Sequence, residues 1–412
     1  MRIHFLLVLF LPLLSFSQPT RQPDAAQIHL KLQKLNFLGS VLYMAAHPDD
    51  ENTNIIAYLS NERLATTAYL SLTRGDGGQN LIGPEIRELL GLIRTQELLA
   101  ARRIDGGRQF FTRAIDFGYS KSAAEAFSIW GKEAVLSDAI KILRQYRPDI
   151  IITRFPADER AGHGHHTASA VVASEAFDLA SRSDVFLEQV KEVGTWQVKR
   201  LYTNTGRWWN TSINEKTPGV ITLDVGGYNP LLGKSYSEIS ALSSSQHKSQ
   251  GWGRKGERGY RPEFLEHVKG EAAKKNIFEG VDTTWNRVKG GAVIQPLGTR
   301  ALAEFDPRNP AASVPLLFKI RTEILKLEEG VWRERKLQEV EQLIVDCLGL
   351  FVEVTADRYQ CAPAEPVKST VEVLNRSASD IEIKGIKTSG LAWDSVLTAS
   401  LVPNNPRVIS FH

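Results

Sequence analysis

Residues 40–51 read SVLYMAAHPDDE, an apolar run that leads directly into a cluster of polar residues. The apolar part, residues 40–46, has the length and composition of a strand buried on both faces of a parallel sheet. Helical residues follow at 52–61. Ligands of α/β sheets bind at the carboxyl ends of strands. His47, Asp49 and Asp50 therefore stand where a functional site is expected.

The same pattern continues beyond this stretch. Further strands are predicted at residues 66–72, 110–115 and 149–155, and helices at 28–35, 84–103, 137–145 and 166–181. Strands that alternate with helices indicate a parallel sheet covered on both faces. We predict an α/β fold, a Rossmann-like doubly wound and mostly parallel sheet, over residues 25–300. Residues 198–298 are less regular, and we interpret them as the substrate-side part of this domain.

The C-terminal part of the sequence has a different pattern. Two helices with few breaks, at residues 314–327 and 331–348, indicate a helical connector over 301–348. Residues 349–412 then form short alternating stretches, predicted as strands at 350–355, 369–375, 380–387, 395–401 and 407–411. A β-sandwich needs on the order of 100 residues. The segment from 349 is therefore predicted to be a partial, sandwich-like and incomplete β-rich domain.

Length and composition limit the classes of protein to consider. The chain has 412 residues, 42% of them hydrophobic, and 50 Lys+Arg against 47 Asp+Glu. This length predicts two folded units, and the near balance of charge argues against a nucleic-acid partner. The two cysteines, Cys347 and Cys361, are too few for a disulfide framework or a cysteine-based zinc site. One bridge or none is compatible with the sequence.

The N-terminus has the order of a secretory signal peptide. A basic residue, Arg2, precedes an apolar run at residues 5–14 and small residues at 15–17. The run is shorter than the roughly 20 residues that span a bilayer, which disfavours the alternative of a retained membrane anchor. We predict a signal peptide at residues 1–17, an exported protein in the periplasm or outside the cell, and no integral membrane association after cleavage.

A histidine cluster supplies the partner that the first motif lacks. His47 and Asp50, three residues apart across a turn, can direct an imidazole and a carboxylate at one cation, but a metal site needs a third ligand. Residues 163–166 read HGHH and follow the strand predicted at 149–155. His, Asp and His with an open position form the ligand set of a catalytic zinc site. A non-haem iron site with two histidines and one carboxylate is the rival for the same residues.

At these residues the sequence resembles the PIG-L family, also called LmbE-like, which are zinc-dependent N-deacetylases of N-acetylglucosaminyl groups in small glycoconjugates. The resemblance covers most of residues 40–298 and rests on two motifs, a strand followed by His-Pro-Asp-Asp-Glu and a later His-x-x-His. It implies that His47, Asp50 and His166 hold one Zn²⁺, that Asp49 is the general base, and that His163 assists the oxyanion and the leaving group.

The second motif departs from the pattern His-Pro-Asp-His that is common in the family. Here Gly164 and His165 occupy the middle positions, which leaves open whether His165 replaces either neighbour. The sequence also looks like a longer, exported bacterial subgroup with a β-rich extension.

The chemistry of amide hydrolysis agrees with these roles. At neutral pH the reaction needs a strong nucleophile, which Zn²⁺ provides by lowering the pKa of its bound water to about 7. Asp49 accepts the proton of that water, and the metal and a protonated His163 stabilise the oxyanion. The predicted enzyme removes the N-acetyl group from an N-acetylglucosamine-type sugar or glycoconjugate. The alternative is a non-catalytic glycan-binding or scaffolding protein that retains the fold.

Four further residues are predicted to contact the substrate. Arg74 and Asp76 lie in RGDGG at residues 74–78, where an ordinary glycine turn is the alternative. Arg94 is three residues from Glu97, a spacing also typical of a solvated salt bridge on a helix. His247 precedes a basic, glycine-rich segment at 253–259 that is either a lid or a flexible loop. Trp208 and Trp209 either stack on a sugar or pack in the core, with core packing favoured.

Overall fold

The computed structural model describes residues 22–362, 365–387 and 394–411. The predicted signal peptide at 1–17 lies outside the described residues. The chain divides into a large unit, Ala25–Ile344, and a smaller unit that contains the chain from Val345 onward together with the described residues before Ala25. Among the described residues, no helix is both long enough and apolar enough to cross a bilayer.

The large unit is built on a seven-stranded sheet. Its strands run in the order β3-β2-β1-β4-β5-β9-β6. The first five are parallel, and β9 is antiparallel to both of its neighbours. The seven strands are β1 (Ser40–Ala45), β2 (Thr66–Ser71), β3 (Arg108–Phe111), β4 (Ile150–Thr153), β5 (Arg200–Thr205), β6 (Val220–Asp224) and β9 (Pro262–Gly270). Two short strands, β7 (Tyr228–Asn229) and β8 (Lys234–Ser235), pair with each other in a separate antiparallel ribbon.

Eleven helices are found in the described part of the chain. They are α1 (Ala25–Leu35), α2 (Thr53–Asn61), α3 (Glu88–Asp105), α4 (Ala123–Trp130), α5 (Lys132–Tyr146), α6 (Gly164–Leu179), α7 (Leu187–Val193), α8 (Tyr236–Ser244), α9 (Ile294–Ala303), α10 (Val314–Leu325) and α11 (Val331–Cys347). The helices of the predicted connector lie mostly inside the large unit, because that unit extends to Ile344.

Strand β1 shows why the sheet is covered on both faces. Its side chains alternate, so Val41 and Tyr43 enter one core with residues of α2 and α3, whereas Leu42 and Met44 enter another with residues of α4, α5 and α6. All four are at most 1% exposed. A strand buried on both faces has no polar side, which is the apolar run seen in the sequence. The predicted doubly wound α/β fold is confirmed.

The strand order also explains the position of the two motifs. Strand β1 lies between β2 and β4, so the chain winds in opposite directions on its two sides, which makes the β1/β4 boundary the switch point where α/β sheets bind ligands. The HPDDE residues, 47–51, follow β1. The HGHH residues, 163–166, follow β4 after a short 3-10 helix, Glu159–Ala161, and begin α6. The topology therefore brings both motifs to one place.

The smaller unit consists of β-strands, as predicted. A three-stranded antiparallel sheet has the order β10-β11-β14, and β12 pairs with β13. A small core contains Val371, Val373 and Leu401. The strands are β10 (Phe351–Ala356), β11 (Ser369–Leu374), β12 (Glu382–Lys387), β13 (Asp394–Ser400) and β14 (Arg407–Phe411).

Candidate metal centre and active site

The turn after β1 has a strained backbone. Asp49 has φ of +91°, which is uncommon for any residue other than glycine and is found most often at functional sites. The hydroxyl of Tyr69 donates to the carbonyl of His47 at 2.5 Å, and the backbone N–H of Asp49 donates to Glu51 at 2.8 Å. The buried side chains of Tyr69, on β2, and of Glu51, which precedes α2, thus hold the turn in this conformation.

Asp50 lies between two histidines. Its Oδ2 accepts from the backbone N–H of His47 at 2.7 Å and lies 3.0 Å from the ring Nδ1, and its Oδ1 is 3.5 Å from Nε2 of His166. Burial alone would raise the pKa of Asp50. The nearby imidazoles of His166 and His47, with the two hydrogen bonds from His47, outweigh that effect and hold the pKa well below its ordinary value. Asp50 is therefore a carboxylate directed at both rings.

The ring of His166 is oriented by its other neighbours. Its Nδ1 lies 3.2 Å from the carbonyl of Ala161, so the proton of a neutral ring is on Nδ1 and the lone pair is on Nε2. Its ring is stacked on Phe155 with centroids 3.8 Å apart. Metal-ligating histidines usually donate their other N–H to such an acceptor. His166 is thus prepared to offer Nε2 on the side of Asp50.

Two groups of candidate ligands share His47. One consists of His47, Asp50 and His166, and the other of His47, His163 and His165, with the ligand atoms of each group within 4.8 Å of one another. Zinc bonds of about 2.0–2.2 Å in a tetrahedral site place ligand atoms roughly 3.4 Å apart. The separations around Asp50 are close to this value, 3.0 Å from its Oδ2 to Nδ1 of His47 and 3.5 Å from its Oδ1 to Nε2 of His166. The residues present are therefore suited to hold zinc.

His165 belongs to the core rather than to an open site. Its side chain is fully buried beside the rings of Phe117 and Trp130, at centroid distances of 4.3 and 4.7 Å. Its Nδ1 lies 3.0 Å from Nε2 of His47. A histidine in this position can fix the tautomer and orientation of His47 from behind. The alternative that His165 replaces one of its neighbours, His163 or His166, stays a prediction.

His163 is placed at the N-cap of α6. Its Nδ1 accepts from the backbone N–H of His165, and its Nε2 faces that of Ser120, each at 3.2 Å. A neutral imidazole accepts at only one nitrogen, so at most one of these amides is satisfied. Burial, with His166 and His47 nearby, lowers the pKa of His163 to about 4. The structure does not favour the protonated state that the predicted acid role needs, and that role stays a prediction.

Steric contacts explain why a glycine occupies position 164, where proline is common in the family. A Cβ atom at Gly164 would lie 2.2 Å from Oγ of Ser120 and 2.4 Å from the carbonyl oxygen of Ser122. The backbone N–H of Gly164 donates to the carbonyl of Ser120 at 2.8 Å. The start of α6 therefore packs directly on residues 120–122, and no larger residue fits there without a shift.

Asp49 does not point at the histidines but is held by two donors. Arg94 donates to its Oδ1 and the indole of Trp252 to its Oδ2, both at 3.1 Å. Burial raises the pKa of Asp49 to about 6, with Arg94 lowering it and Asp50 raising it. A carboxylate with a pKa near neutrality and adjacent to a metal position has the properties of a general base.

The RGDGG turn makes room for Arg94. The guanidinium of Arg94 is buried and donates to the carbonyls of Pro48 and Gly75, at 2.5 and 3.1 Å. A Cβ atom at Gly75 or Gly78 would lie 2.4 or 2.7 Å from the same guanidinium nitrogen. The glycines are therefore required by the close approach of Arg94, which acts on Asp49 rather than on a substrate.

A cavity of about 410 Å³ opens beside these residues, within the roughly 300–1,000 Å³ of small-molecule sites. Asp49, Asp50 and His166 line it, whereas His163 and His165 do not. We call His47, Asp49, Asp50 and His166 the metal side. The remaining lining includes a group that we call the second wall: Asn52, Arg154, Trp208, Trp252, Arg254, Arg261 and Glu263.

Comparison with known proteins gives the family of this site. Residues 42–177 match the family model described as PIG-L, GlcNAc-PI de-N-acetylase. The matched range begins in β1 and ends in α6, so it includes both histidine motifs and every residue of the metal side. Residues 42–177 form a PIG-L family domain.

Curated relatives align with the PIG-L domain and beyond it. One is 1D-myo-inositol 2-acetamido-2-deoxy-alpha-D-glucopyranoside deacetylase 2 of Saccharopolyspora erythraea, 24% identical over 224 residues, covering 50% of this chain and 77% of the relative. The corresponding deacetylase of Kineococcus radiotolerans is 28% identical over 170 residues, covering 35% of this chain and 46% of the relative. Among solved structures, the N,N'-diacetylchitobiose deacetylase of Pyrococcus horikoshii has 19% identity and a TM-score of 0.37, covering 51% of this chain and 70% of that one.

The other predicted substrate residues of the PIG-L domain have different partners. Arg74 lies over the ring of Phe111 at 4.2 Å, and Asp76 accepts from the backbone N–H of Asp116 at 3.1 Å. Neither lines the cavity. Arg94 does not pair with Glu97, which instead accepts from the backbone N–H and hydroxyl of Ser249 at 2.7 and 2.6 Å.

His247, which lies beyond the matched range, does border the cavity. It is 1% exposed, and its Nε2 lies 2.9 Å from Oε1 of Glu51, which also accepts from Arg102 at 3.2 Å. Burial lowers the pKa of His247, but the charge of Glu51, its hydrogen bond and the charge of Asp49 raise the net value. This network fixes Glu51, whose second oxygen holds the backbone of Asp49.

Glu51, Arg102 and Trp252 are not among the functional residues predicted from the sequence. Glu51 was visible as the last residue of the HPDDE motif. Trp252 had only a weak signal, its position between His247 and the glycine-rich segment. The two neighbouring tryptophans differ: Trp208 is 58% exposed at the cavity, whereas Trp209 packs against the core.

Proposed function

We propose that this protein is a metal-dependent hydrolase that removes the acetyl group from an N-acetylated sugar, with zinc held by His47, Asp50 and His166. The observation that supports it most strongly is that two of these three candidate ligands and the base, Asp49, line one cavity. A catalytic metal needs an open position that faces the substrate. The alternative ligands, His163 and His165, offer no such face.

The ion would supply activation of a water molecule and electrostatic stabilisation of the oxyanion. Asp49 then performs the proton transfer. With a pKa of about 6, its carboxylate is largely ionised at neutral pH and accepts a proton from water. Arg94 and Trp252 each occupy one carboxylate oxygen, which fixes the direction of the remaining lone pairs.

The second wall is suited to a sugar. Trp208 and Trp252 line the cavity and are 58% and 46% exposed, and aromatic faces pack against the apolar faces of sugar rings. Asn52 is oriented by a hydrogen bond of 3.0 Å to Asn204. The names of the curated relatives describe 2-acetamido-2-deoxy-glucopyranosides as their substrates. We propose a substrate with the same acetamido group.

The test is acetate release from N-acetylglucosamine-containing sugars, measured together with zinc content. Wild-type protein is expected to hold one zinc per chain and to release acetate. Asp49→Asn should keep the zinc and lose turnover by roughly 10²–10⁴, the contribution of a general base. Asp50→Ala should lose both. Sugar binding by zinc-loaded wild-type protein with no acetate release from any acetylated sugar would instead support the non-catalytic glycan-binding alternative.

A further inference from the structure

Three arginines line the same cavity as the candidate metal site, in the second wall. They are Arg154, which follows β4, and Arg254 and Arg261, on the segment between α8 and β9. Glu263 is the one carboxylate of the second wall. It is buried and accepts from the amide of Asn204 at 3.3 Å. Positive charge therefore exceeds negative charge among these residues.

The other carboxylates that line the cavity, Asp49, Asp50 and Glu51, do not balance these arginines, because each already has its own partner. Asp49 is paired with Arg94 at 3.1 Å, and Asp50 lies between two imidazoles. Glu51 is paired with Arg102 at 3.2 Å. Neither Arg94 nor Arg102 lines the cavity.

The guanidinium groups of Arg154 and Arg254 are held mainly by neutral groups. Arg154 donates to the amide oxygen of Asn204 at 3.1 Å and lies over the ring of Trp208 at 5.4 Å. Arg254 donates to three hydroxyls at 2.5–3.2 Å, those of Ser240, Ser244 and Thr53. Such contacts orient a guanidinium without neutralising its charge.

Arg261 has a weak counter-charge. Its ion pair with Glu257 involves a carboxylate that is 64% exposed, and pairs exposed to this degree contribute little. Burial and the charge of Arg261 lower the pKa of Arg254, and the charges of Glu263 and Glu257 offset this effect only in part. Two cations placed near each other in a cavity indicate an anionic ligand.

The segment that carries these two arginines is packed rather than loose. A Cβ atom at Gly256 would lie 2.6 Å from Cα of Glu238, and one at Gly226 would lie 1.7 Å from the carbonyl oxygen of Gly259. Close packing against α8 and against the residues after β6 thus holds the basic, glycine-rich segment of the sequence in place.

We propose that Arg154, Arg254 and Arg261 bind an anionic substituent, a carboxylate or a phosphate, of the acetylated substrate. This proposal rests on the proposed deacetylase function and specifies the class of its substrate. The planar donors of arginine match the geometry of both oxyanions. The substrate class is therefore an acidic N-acetylated sugar, such as one linked to a uronic acid or carrying a phosphate, rather than a neutral oligosaccharide.

The experiment uses matched pairs of sugars with full-length, zinc-loaded protein. N-acetylglucosaminyl-glucuronic acid is compared with N-acetylglucosaminyl-glucose, and N-acetylglucosamine 1-phosphate with the methyl glycoside. We expect kcat/KM for acetate release to favour the acidic member by about tenfold or more. The preference should decrease as salt is raised. A larger acidic preference in the glucuronic acid pair would indicate a carboxylate, and a larger preference in the 1-phosphate pair would indicate a phosphate.

Variants assign the preference to the arginines. Arg254→Gln and Arg261→Gln should each reduce the ratio of acidic to neutral kcat/KM by roughly tenfold. Arg258→Gln is the matched control, because Arg258 is on the same segment but is 71% exposed, pairs with Glu238 and does not line the cavity. Its ratio should stay at the wild-type value. Arg254→Gln removes hydrogen bonds to three hydroxyls and could misfold. Arg261→Gln removes only an ion pair with a largely exposed carboxylate, so it tests the proposal even if Arg254→Gln does not fold.

Calorimetric binding of the same sugars separates this inference from the proposed function. If no sugar is deacetylated, the proposed function fails, and tighter binding of the acidic members that is lost in Arg261→Gln still supports the arginine site. Equal binding and equal turnover of acidic and neutral members would overturn it. A preference that persists in both arginine variants would overturn it as well.

Discussion

On the metal side of the cavity, Asp49 and Asp50 are each held by neighbours from two different segments of the chain, whereas Trp208 and Trp252 of the second wall are about half exposed. The two sides also differ in origin. The metal side lies wholly within residues 42–177, which match the PIG-L family, whereas most of the second wall lies beyond them. The family match thus includes the whole metal side, whereas five of the seven second-wall residues lie in residues 198–298.

Substitutions on the two sides should have different effects. A change on the metal side is expected to remove a proposed ligand or the proposed base. A change on the second wall alters one of several contacts to the substrate. We therefore expect large, all-or-none effects on the metal side and graded effects on the second wall.

The largest effect is expected within the HGHH residues. His166→Ala should remove a ligand, so zinc content after dialysis should fall to near zero and acetate release should fall to background. His165→Ala, which removes the ring behind His47, should weaken zinc affinity by about 10- to 100-fold, as is typical of outer-shell partners. It should still bind zinc at saturating concentration and should unfold at a lower temperature, because a buried ring is lost.

The opposite result would assign the metal to the other group of candidate ligands. If His165→Ala loses zinc irreversibly while His166→Ala retains it, the ions are bound by His47, His163 and His165, the second group of candidate ligands. Asp50 and His166 would then not be metal ligands, and the expected contrast between large effects on the metal side and graded effects on the second wall would not hold.

A smaller effect is expected for Arg94, which connects the metal side to α3. Activity requires ionised Asp49, so the rate should fall as pH drops through the pKa of that carboxyl, about 6 or lower when a cation is bound nearby. Arg94 lowers this pKa. Arg94→Met should therefore move the acid limb of the pH–rate profile to higher pH and reduce kcat by roughly 10- to 100-fold.

The control for Arg94 is Arg103→Gln, on the exposed surface of the same helix. Its pH–rate profile should match the wild type. An unshifted acid limb in Arg94→Met, in protein that still binds zinc, would show that Asp49 is not the group that titrates.

The sequence was informative where elements are regular. The predicted strand at 66–72 corresponds to β2 (Thr66–Ser71), and the predicted β-strands from residue 349 onward correspond to β10 to β14 within two residues. These segments have clear apolar periodicity or turn boundaries. The two metal motifs were found for the same reason, because each follows a strand with a strong signal.

The sequence was not informative where tertiary contacts determine the structure. Strands β5, β6 and β9 lie in the irregular region 198–298, and β9 alternates only partly between buried and exposed residues. The spacing of Arg94 and Glu97 suggested a surface pair, but their partners, Asp49 and Ser249, are distant in sequence. A local pattern contains no information about such partners, which is also why Trp252 was missed.

The smallest effect is expected for Trp252, which belongs to the second wall but contacts Asp49 of the metal side. Trp252→Phe keeps an aromatic face for the sugar and removes the indole N–H that donates to Oδ2 of Asp49 at 3.1 Å. A hydrogen bond of this kind contributes about 0.5–1.5 kcal/mol, so kcat should fall by roughly 2- to 10-fold. Because the indole N–H lowers the pKa of Asp49, the acid limb should move to higher pH, by less than in Arg94→Met. Trp208→Phe, on the same wall but without this bond, should leave the limb in place, so a shift in both variants would show that the indole of Trp252 does not act through Asp49.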